Sequence, residues 1–323
     1  SAGSVASGRV GACAVNEAID ATVVPRGIGD ALAAAFPEAQ PVWPLRVLGH
    51  GFRSVVVATA SGVVFRIGKC PEAAAGYARE ARLLPRLQRR LPVAVPEPRW
   101  HRGPCAAFPN GVIGYPLLAG QPLGDRLPAG ADRQRIAADL AAFLVALHRF
   151  PVEDAADVAL PGPATEQARL VALRDAVLPF LMEALPAAAA RHLAEWWDGL
   201  LADESLRGYR PALVHGDLWN ENILVDPAGT RVTGILDFEN AAVSDPARDL
   251  ATLRHLGPRF ATEVLRRYAA AAGGLDARFA HRIQRWWELR EFDGLAYALR
   301  VDDPVERDDA LRKIRNGPLF RSG

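Results

Sequence analysis

The chain has 323 residues, 50% of them hydrophobic and 23% charged, with a formal net charge of +1. That length provides for about two domains and a real core without any disulfide or metal staple, and the composition excludes a disordered or collagen-like chain. Three scattered cysteines (Cys13, Cys70 and Cys105) form neither a disulfide framework nor a CxxC zinc site, which fits the reducing cytoplasm. The longest apolar stretch, Ile136 to Leu147, is interrupted by Asp139 and is too short for a membrane span. The arginines interleave with acids, and no basic run carries aromatics, so no nucleic-acid partner is expected.

In chain order, Ser1 to Val15 is rich in small residues without the basic and leucine-rich regions of a secretory signal, and residues 1–24 are expected to form a flexible segment. From Leu45 to Ile67, β-branched runs split by Gly and Ser read as strands and turns. A helix is predicted over Glu72 to Arg90, closed by Pro92, Pro96 and Pro98. Short strands follow near Arg99 and over 111–118. After Gly120, alanine- and leucine-rich segments predict helices over 132–149 and 167–201. One β island spans Leu213 to Leu236 around an Asp226-Pro-Ala-Gly229 turn, and a helical pattern runs from Pro246 to the end. A β-rich lobe followed by a mainly helical lobe is an α+β plan.

The chemistry concentrates in Val214-His-Gly-Asp-Leu-Trp-Asn-Glu-Asn-Ile-Leu-Val225 and Gly234-Ile-Leu-Asp-Phe-Glu-Asn240. Asp217 and Asn222 share a polar loop between apolar strand segments, and Asp237 ends the second strand of the following hairpin. An amide oxygen and a carboxylate, Asn222 and Asp237, suit Mg²⁺, which prefers oxygen ligands and shares them with phosphate. The remaining carboxylate, Asp217, can orient a hydroxyl and accept its proton. That division of labour is the one used by kinases. Reading His215 and Asp217 instead as hydrolase metal ligands would require a second HxH or HxxxH group, which the chain lacks.

The ordered set His215–Asn222 (HGDxxxxN), Leu236-Asp237 and Asp245-Pro-Ala-Arg-Asp-Leu-Ala251 (DPxxDLA) resembles the aminoglycoside phosphotransferase family of kinase-like small-molecule kinases, over about residues 45–311. The resemblance implies a protein-kinase-like two-lobed fold. A nucleotide-binding lobe is expected over 25–114, a hinge over 115–120 and a helical lobe with the catalytic loop and acceptor site over 121–323. It implies Asp217 as catalytic base, Asn222 and Asp237 as Mg²⁺ ligands, and His215 and Asp249 as supports of the loop. It also implies ATP or GTP as phosphate donor.

On the nucleotide side, Gly49 and Gly51 resemble a phosphate-covering loop. The family expects a cation on the third strand, where Arg66 stands; Lys69 is its rival as phosphate ligand, and Glu80 is the expected ion-pair partner of Arg66. Gly114 to Gly120, with Tyr115 and Leu117, resembles the hinge that reads the purine. Tyr115 reads either as a residue narrowing that pocket or as a core strand tyrosine.

The charge is uneven along the chain. Residues 1–150 hold 17 basic and 10 acidic side chains, whereas residues 151–310 hold 17 basic and 27 acidic ones. An acidic cleft would favour a cationic acceptor. By resemblance that acceptor is an aminoglycoside, with Glu239, Glu288, Glu291 and Asp293 as expected contacts. The aromatic segment Trp286 to Tyr297 resembles macrolide 2′-kinases as well, and a choline- or homoserine-type kinase stands behind both. A catalytically silent kinase-like binding protein is the reading from a different class, against which the retained Asp217, Asn222 and Asp237 argue.

Overall fold

The computed structural model describes residues 26–40, 44–51, 53–124 and 126–320, so the expected N-terminal segment 1–24 lies outside the described residues. The chain divides into two compact units. One comprises Ser1–Leu123, Ala155–Ala159 and Glu221–Asn240; the other comprises Gly124–Asp154, Leu160–Asn220 and Ala241–Gly323. Sequence order alone places 221–240 in the helical lobe, yet this hairpin segment packs with the N-terminal strands.

The first unit begins with helix α1 (Arg26–Ala35) and is built on an antiparallel sheet of β1 (Arg46–His50), β2 (Ser54–Ala58), β3 (Val63–Gly68), β4 (Trp100–Arg102) and β5 (Val112–Pro116), in the order β1-β2-β3-β5-β4. β3 is buried along its whole length because it is the central strand. Side chains alternate across a strand, so Phe65 and Ile67 face one side and Val64 and Arg66 the other. Phe65 and Ile67 pack with Ile28, Leu32 and Phe36, whose four-residue spacing lines one face of α1 and its extension. Helix α2 (Pro71–Leu87) contributes Tyr77 and Ala73, which pack with Ile113 of β5. A second sheet, ordered β6-β8-β9, joins β6 (Gln121–Pro122) to the hairpin of β8 (Ile223–Val225) and β9 (Val232–Ile235). Asp226 shapes the hairpin turn by accepting hydrogen bonds from the Thr230 amide and hydroxyl.

The β island predicted over 213–236 is therefore two structures. β7 (Ala212–Val214) does not join the hairpin but pairs with β10 (Ala242–Ser244) in the second unit. That unit is otherwise helical: α3 (Gly130–His148), α4 (Pro163–Ala184), α5 (Ala187–Ala202), α6 (Ala247–Thr252), α7 (Pro258–Ala272), α8 (Phe279–Leu289), α9 (Phe292–Val301) and α10 (Pro304–Arg315). The single helix predicted over 167–201 is broken between α4 and α5. Pro186 disfavours the helical conformation for its predecessor, and Leu185 is extended. Trp197 and Phe292 centre this core, with rings 5.1 Å apart. Among the described residues no helix is long and apolar enough to cross a membrane.

Candidate active site

The motif His215–Asn222 straddles the two units, so each half is taken with its own surroundings. In the second unit, β7 delivers the chain to His215 and Gly216. Gly216 has φ +82°, a left-handed turn that suits glycine. The turn is fixed by Asp249 at the start of α6. Its carboxylate accepts hydrogen bonds from the amides of His215 and Gly216, both at 2.8 Å, and lies 3.1 Å from His148 Nε2. Burial alone would push this carboxyl up, but the hydrogen bond and charge of His148 together with the amide donors hold it below the usual carboxylate range. The Asp217 amide donates to His215 Nδ1 at 3.2 Å, and the Asn220 amide donates to His255 Nε2 at 3.1 Å. His215 and Asp249 thus act on the loop through backbone amides, leaving Asp217 partly exposed at its tip.

In the first unit, the last rung of the β8–β9 hairpin positions the two residues expected as metal ligands. Ile223 pairs with Ile235, and the Leu236 amide donates to the Asn222 carbonyl at 2.8 Å. That pairing brings Asn222 and the residue before Asp237 together. Asp237 has φ +62°, a left-handed conformation uncommon outside glycine but tolerated best by Asp and Asn. Its side chain is 38% exposed and so open to a ligand.

Around Asp237 stands a cluster of three carboxylates and two guanidinium groups. Arg66, 4% exposed, lies 2.8 Å from Glu80, 2.7 Å from Glu239 and 3.1 Å from Asp237. Its guanidinium also sits 5.4 Å from the centre of the Tyr77 ring. Arg53, from the loop between β1 and β2, donates to the other oxygen of Glu239 at 2.9 Å. One oxygen of each acid, Glu80, Asp237 and Glu239, falls within 4.8 Å of the others. Burial pushes Glu80 up to about 7; Arg66 opposes the rise, and the charges of Asp237 and Glu239 reinforce it. The second oxygen of Glu80 is buried without a hydrogen bond. Burial works against the charge of Arg66, but Asp237 and Glu80 outweigh it and hold the guanidinium well above its ordinary value.

These positions bear unevenly on the sequence expectations. The expected Arg66–Glu80 pair is present. Lys69 donates to the Gly51 carbonyl at 3.3 Å, beside the glycine loop. Tyr115 is a buried strand residue packed with Val64 and Ala58, and Leu117 is 49% exposed. Glu239, expected by resemblance beside Glu288, Glu291 and Asp293 as an acceptor contact, lies in the first unit, 7% exposed between Arg53 and Arg66. The other three acids are engaged within the second unit. Glu288 accepts from Trp196 Nε1 at 2.9 Å, Glu291 pairs with Arg290 at 2.9 Å, and Asp293 pairs with Arg169 at 2.6 Å. Trp286 is core, donating to Asp245 at 2.8 Å.

Two residues escaped the sequence reading. Gly76, inside α2, leaves room for Glu239: a Cβ there would lie 2.8 Å from Glu239 Cγ. Glycine in a helix interior costs about 1 kcal/mol, which is the available signal of a close approach. Arg53 was legible only as the lone cation of the glycine loop.

The sequence pattern of the phosphotransferase enzyme family matches residues 45–287. Viomycin phosphotransferase of Streptomyces vinaceus is 30% identical over 203 residues, covering 61% of this chain and 67% of that protein. Among solved structures, the GDP and kanamycin complex of an APH(2″) enzyme matches with a TM-score of 0.79 and 26% identity, over 89% of this chain and 96% of that one. Macrolide 2′-phosphotransferase type I matches with a TM-score of 0.70 and 26% identity, over 91% of this chain and 99% of that one. The fold of the first unit, the mainly helical second unit and the ordered motifs all fall within these matches, and the chain belongs to the phosphotransferase enzyme family, as a nucleotide-dependent small-molecule phosphotransferase.

Proposed function

We propose that the chain is a cytoplasmic kinase that transfers the γ-phosphate of ATP or GTP, with Mg²⁺, to a hydroxyl of an aminoglycoside-class acceptor and so confers resistance to it. The observation that carries the reading is the pairing of Asn222 with the approach to a partly exposed Asp237, inside a three-carboxylate cluster. The donor set consists of oxygens only, which fits a hard cation. Asn222 and Asp237 would hold the metal, with Glu80 and Glu239 nearby. When bound, Mg²⁺ would neutralise charge on the β- and γ-phosphates.

The chain's own residues do the rest. Gly49 and Gly51 let the loop backbone approach phosphate, Arg66 is held by Glu80 beside Asp237, and Lys69 lies next to Gly51. Asp217 accepts the proton of the acceptor hydroxyl as its oxygen bonds to the γ-phosphorus, and the bond to the departing nucleoside diphosphate breaks. Asp217→Asn keeps the shape but cannot accept that proton. We expect kcat to fall by about a thousandfold with nucleotide affinity preserved, measured by steady-state kinetics and direct nucleotide binding. Normal turnover in that variant would remove Asp217 from the mechanism.

A macrolide acceptor is the second reading, and one observation favours it. Glu288, Glu291 and Asp293 are each bonded to groups of their own unit, which leaves less acidic surface for a polycation than the charge count suggests. A phosphorylation screen over aminoglycosides, macrolides, tuberactinomycin peptides, choline and homoserine, with ATP and GTP, separates the readings. Transfer to an aminoglycoside supports the first, and transfer to macrolides alone supports the second. Nucleotide binding without transfer to any acceptor would point to a silent binding protein.

A further inference from the structure

Two arginines share the carboxylate cluster of the first unit, and they differ in what they have left to offer. Arg66 is buried, and its two terminal nitrogens already serve Glu80, Glu239 and Asp237. Arg53 is 41% exposed, and its Nη1 reaches one oxygen of Glu239. Partial burial works against the charge of Arg53, but the hydrogen bond and charge of Glu239 outweigh it, so the guanidinium is firmly cationic.

The backbone of Arg53 is anchored independently of that ion pair, which holds the side chain. The Gly51 amide donates to the Ser54 carbonyl at 2.9 Å, closing the loop, and the Lys69 amide donates to the Arg53 carbonyl at 2.7 Å, tying the loop to the end of β3. The side chain therefore extends from an anchored glycine loop towards Glu239, one oxygen of which lies within 4.8 Å of an Asp237 oxygen. Phosphates drawn to Asp237 through a shared cation would arrive within reach of this guanidinium. A triphosphate carries more charge than one carboxylate and accepts bidentate hydrogen bonds from arginine. It is therefore the stronger partner for an exposed guanidinium held by one acid.

We infer that Arg53 is a phosphate-binding residue of the nucleotide site, resting on Glu239 in the free protein and moving to the phosphates of the bound nucleotide. The inference rests on the Gly49–Ser54 loop being the phosphate cover, and it assigns Glu239 the task of holding Arg53 in readiness.

The test compares dissociation constants of ATP and GTP with those of adenosine and guanosine, for the parent, Arg53→Ala and Arg53→Lys. We expect Arg53→Ala to weaken triphosphate binding about tenfold or more while nucleoside binding changes less than about twofold, with Arg53→Lys recovering only part of the loss, since lysine keeps the charge but not the bidentate fork. The nucleotide KM should rise with the acceptor KM unchanged. In a Glu239→Gln background the effect of Arg53→Ala should persist; its disappearance would show that Arg53 serves only the ion pair and would overturn the inference. Equal losses for nucleoside and triphosphate, or no loss for the triphosphate, would overturn it as well. A parent that binds triphosphate no better than nucleoside would refute the phosphate-cover reading of the loop itself.

Discussion

Each unit buries one arginine among carboxylates, and the two clusters are built to opposite ends. In the second unit, Arg282 donates from Nε to Asp245 and from both terminal nitrogens to Asp276, all at 2.8 Å. Asp245 is completed by the Ala247 amide and the Trp286 indole. One cation meets two acids, and hydrogen bonds engage both oxygens of each. In the first unit, Arg66 meets three acids, Arg53 helps from the surface, one oxygen of Glu80 is left without a hydrogen bond, and Asp237 is 38% exposed in a left-handed conformation. Both clusters hold one more acid than arginine, so charge alone does not separate them; satisfied burial marks a structural element, whereas a buried oxygen without a hydrogen bond and an open acid in an uncommon conformation are what the proposed cation site would need.

The sharpest way to break this contrast is to remove the arginine of the second cluster. Arg282→Ala would leave Asp245 buried without its cation, and we expect a loss of about 3–5 kcal/mol in unfolding free energy by denaturant titration. A loss below about 1 kcal/mol would mean that the cluster is not structural.

A smaller effect separates two acids by pH. Asp203 caps the turn at Ser205 and pairs with His281 at 2.6 Å. Burial opposes ionisation, but these hydrogen bonds hold Asp203 down at about 2. Its contribution is present above the ordinary value near 4 and fades as pH falls through 2. Asp203→Asn should cost about 1–2 kcal/mol at pH 7, and the difference should vanish in strong acid. Glu80 has the opposite sign: raised by burial to about 7, it contributes stability below its ordinary value, and that contribution is lost as pH rises towards 7. Glu80→Gln should flatten the fall in unfolding free energy between pH 4.5 and 7. An unchanged pH profile would mean that Glu80 is ionised throughout that range.

The contrast also shows what could be read from the residues in order. His215–Asn222, Leu236-Asp237 and Asp245–Ala251 were legible because kinase chemistry needs those residue types at short, ordered spacings. The strands of the first unit were legible from β-branched runs split by Gly and Ser. Glu239 was not, because its partners Arg53 and Arg66 lie 186 and 173 residues away and are brought to it by the hairpin's packing. Composition counted it among the acids of residues 151–310, but it is buried beside two arginines in the first unit. The same limit hid the pairing of β7 with β10, since an apolar strand after a loop does not announce its partner. Leu185-Pro186 was a readable break that alanine-rich periodicity on both sides obscured.

The most direct measurement is Asp237→Asn, assayed on one preparation for unfolding free energy and for phosphoryl transfer. If the cluster is a site rather than a scaffold, removing its one surplus charge should leave stability equal to or above that of the parent. Turnover should fall by at least about a hundredfold. A variant that loses several kcal/mol, as expected for Arg282→Ala, or that turns over normally, would contradict the assignment of the Arg66 cluster to function.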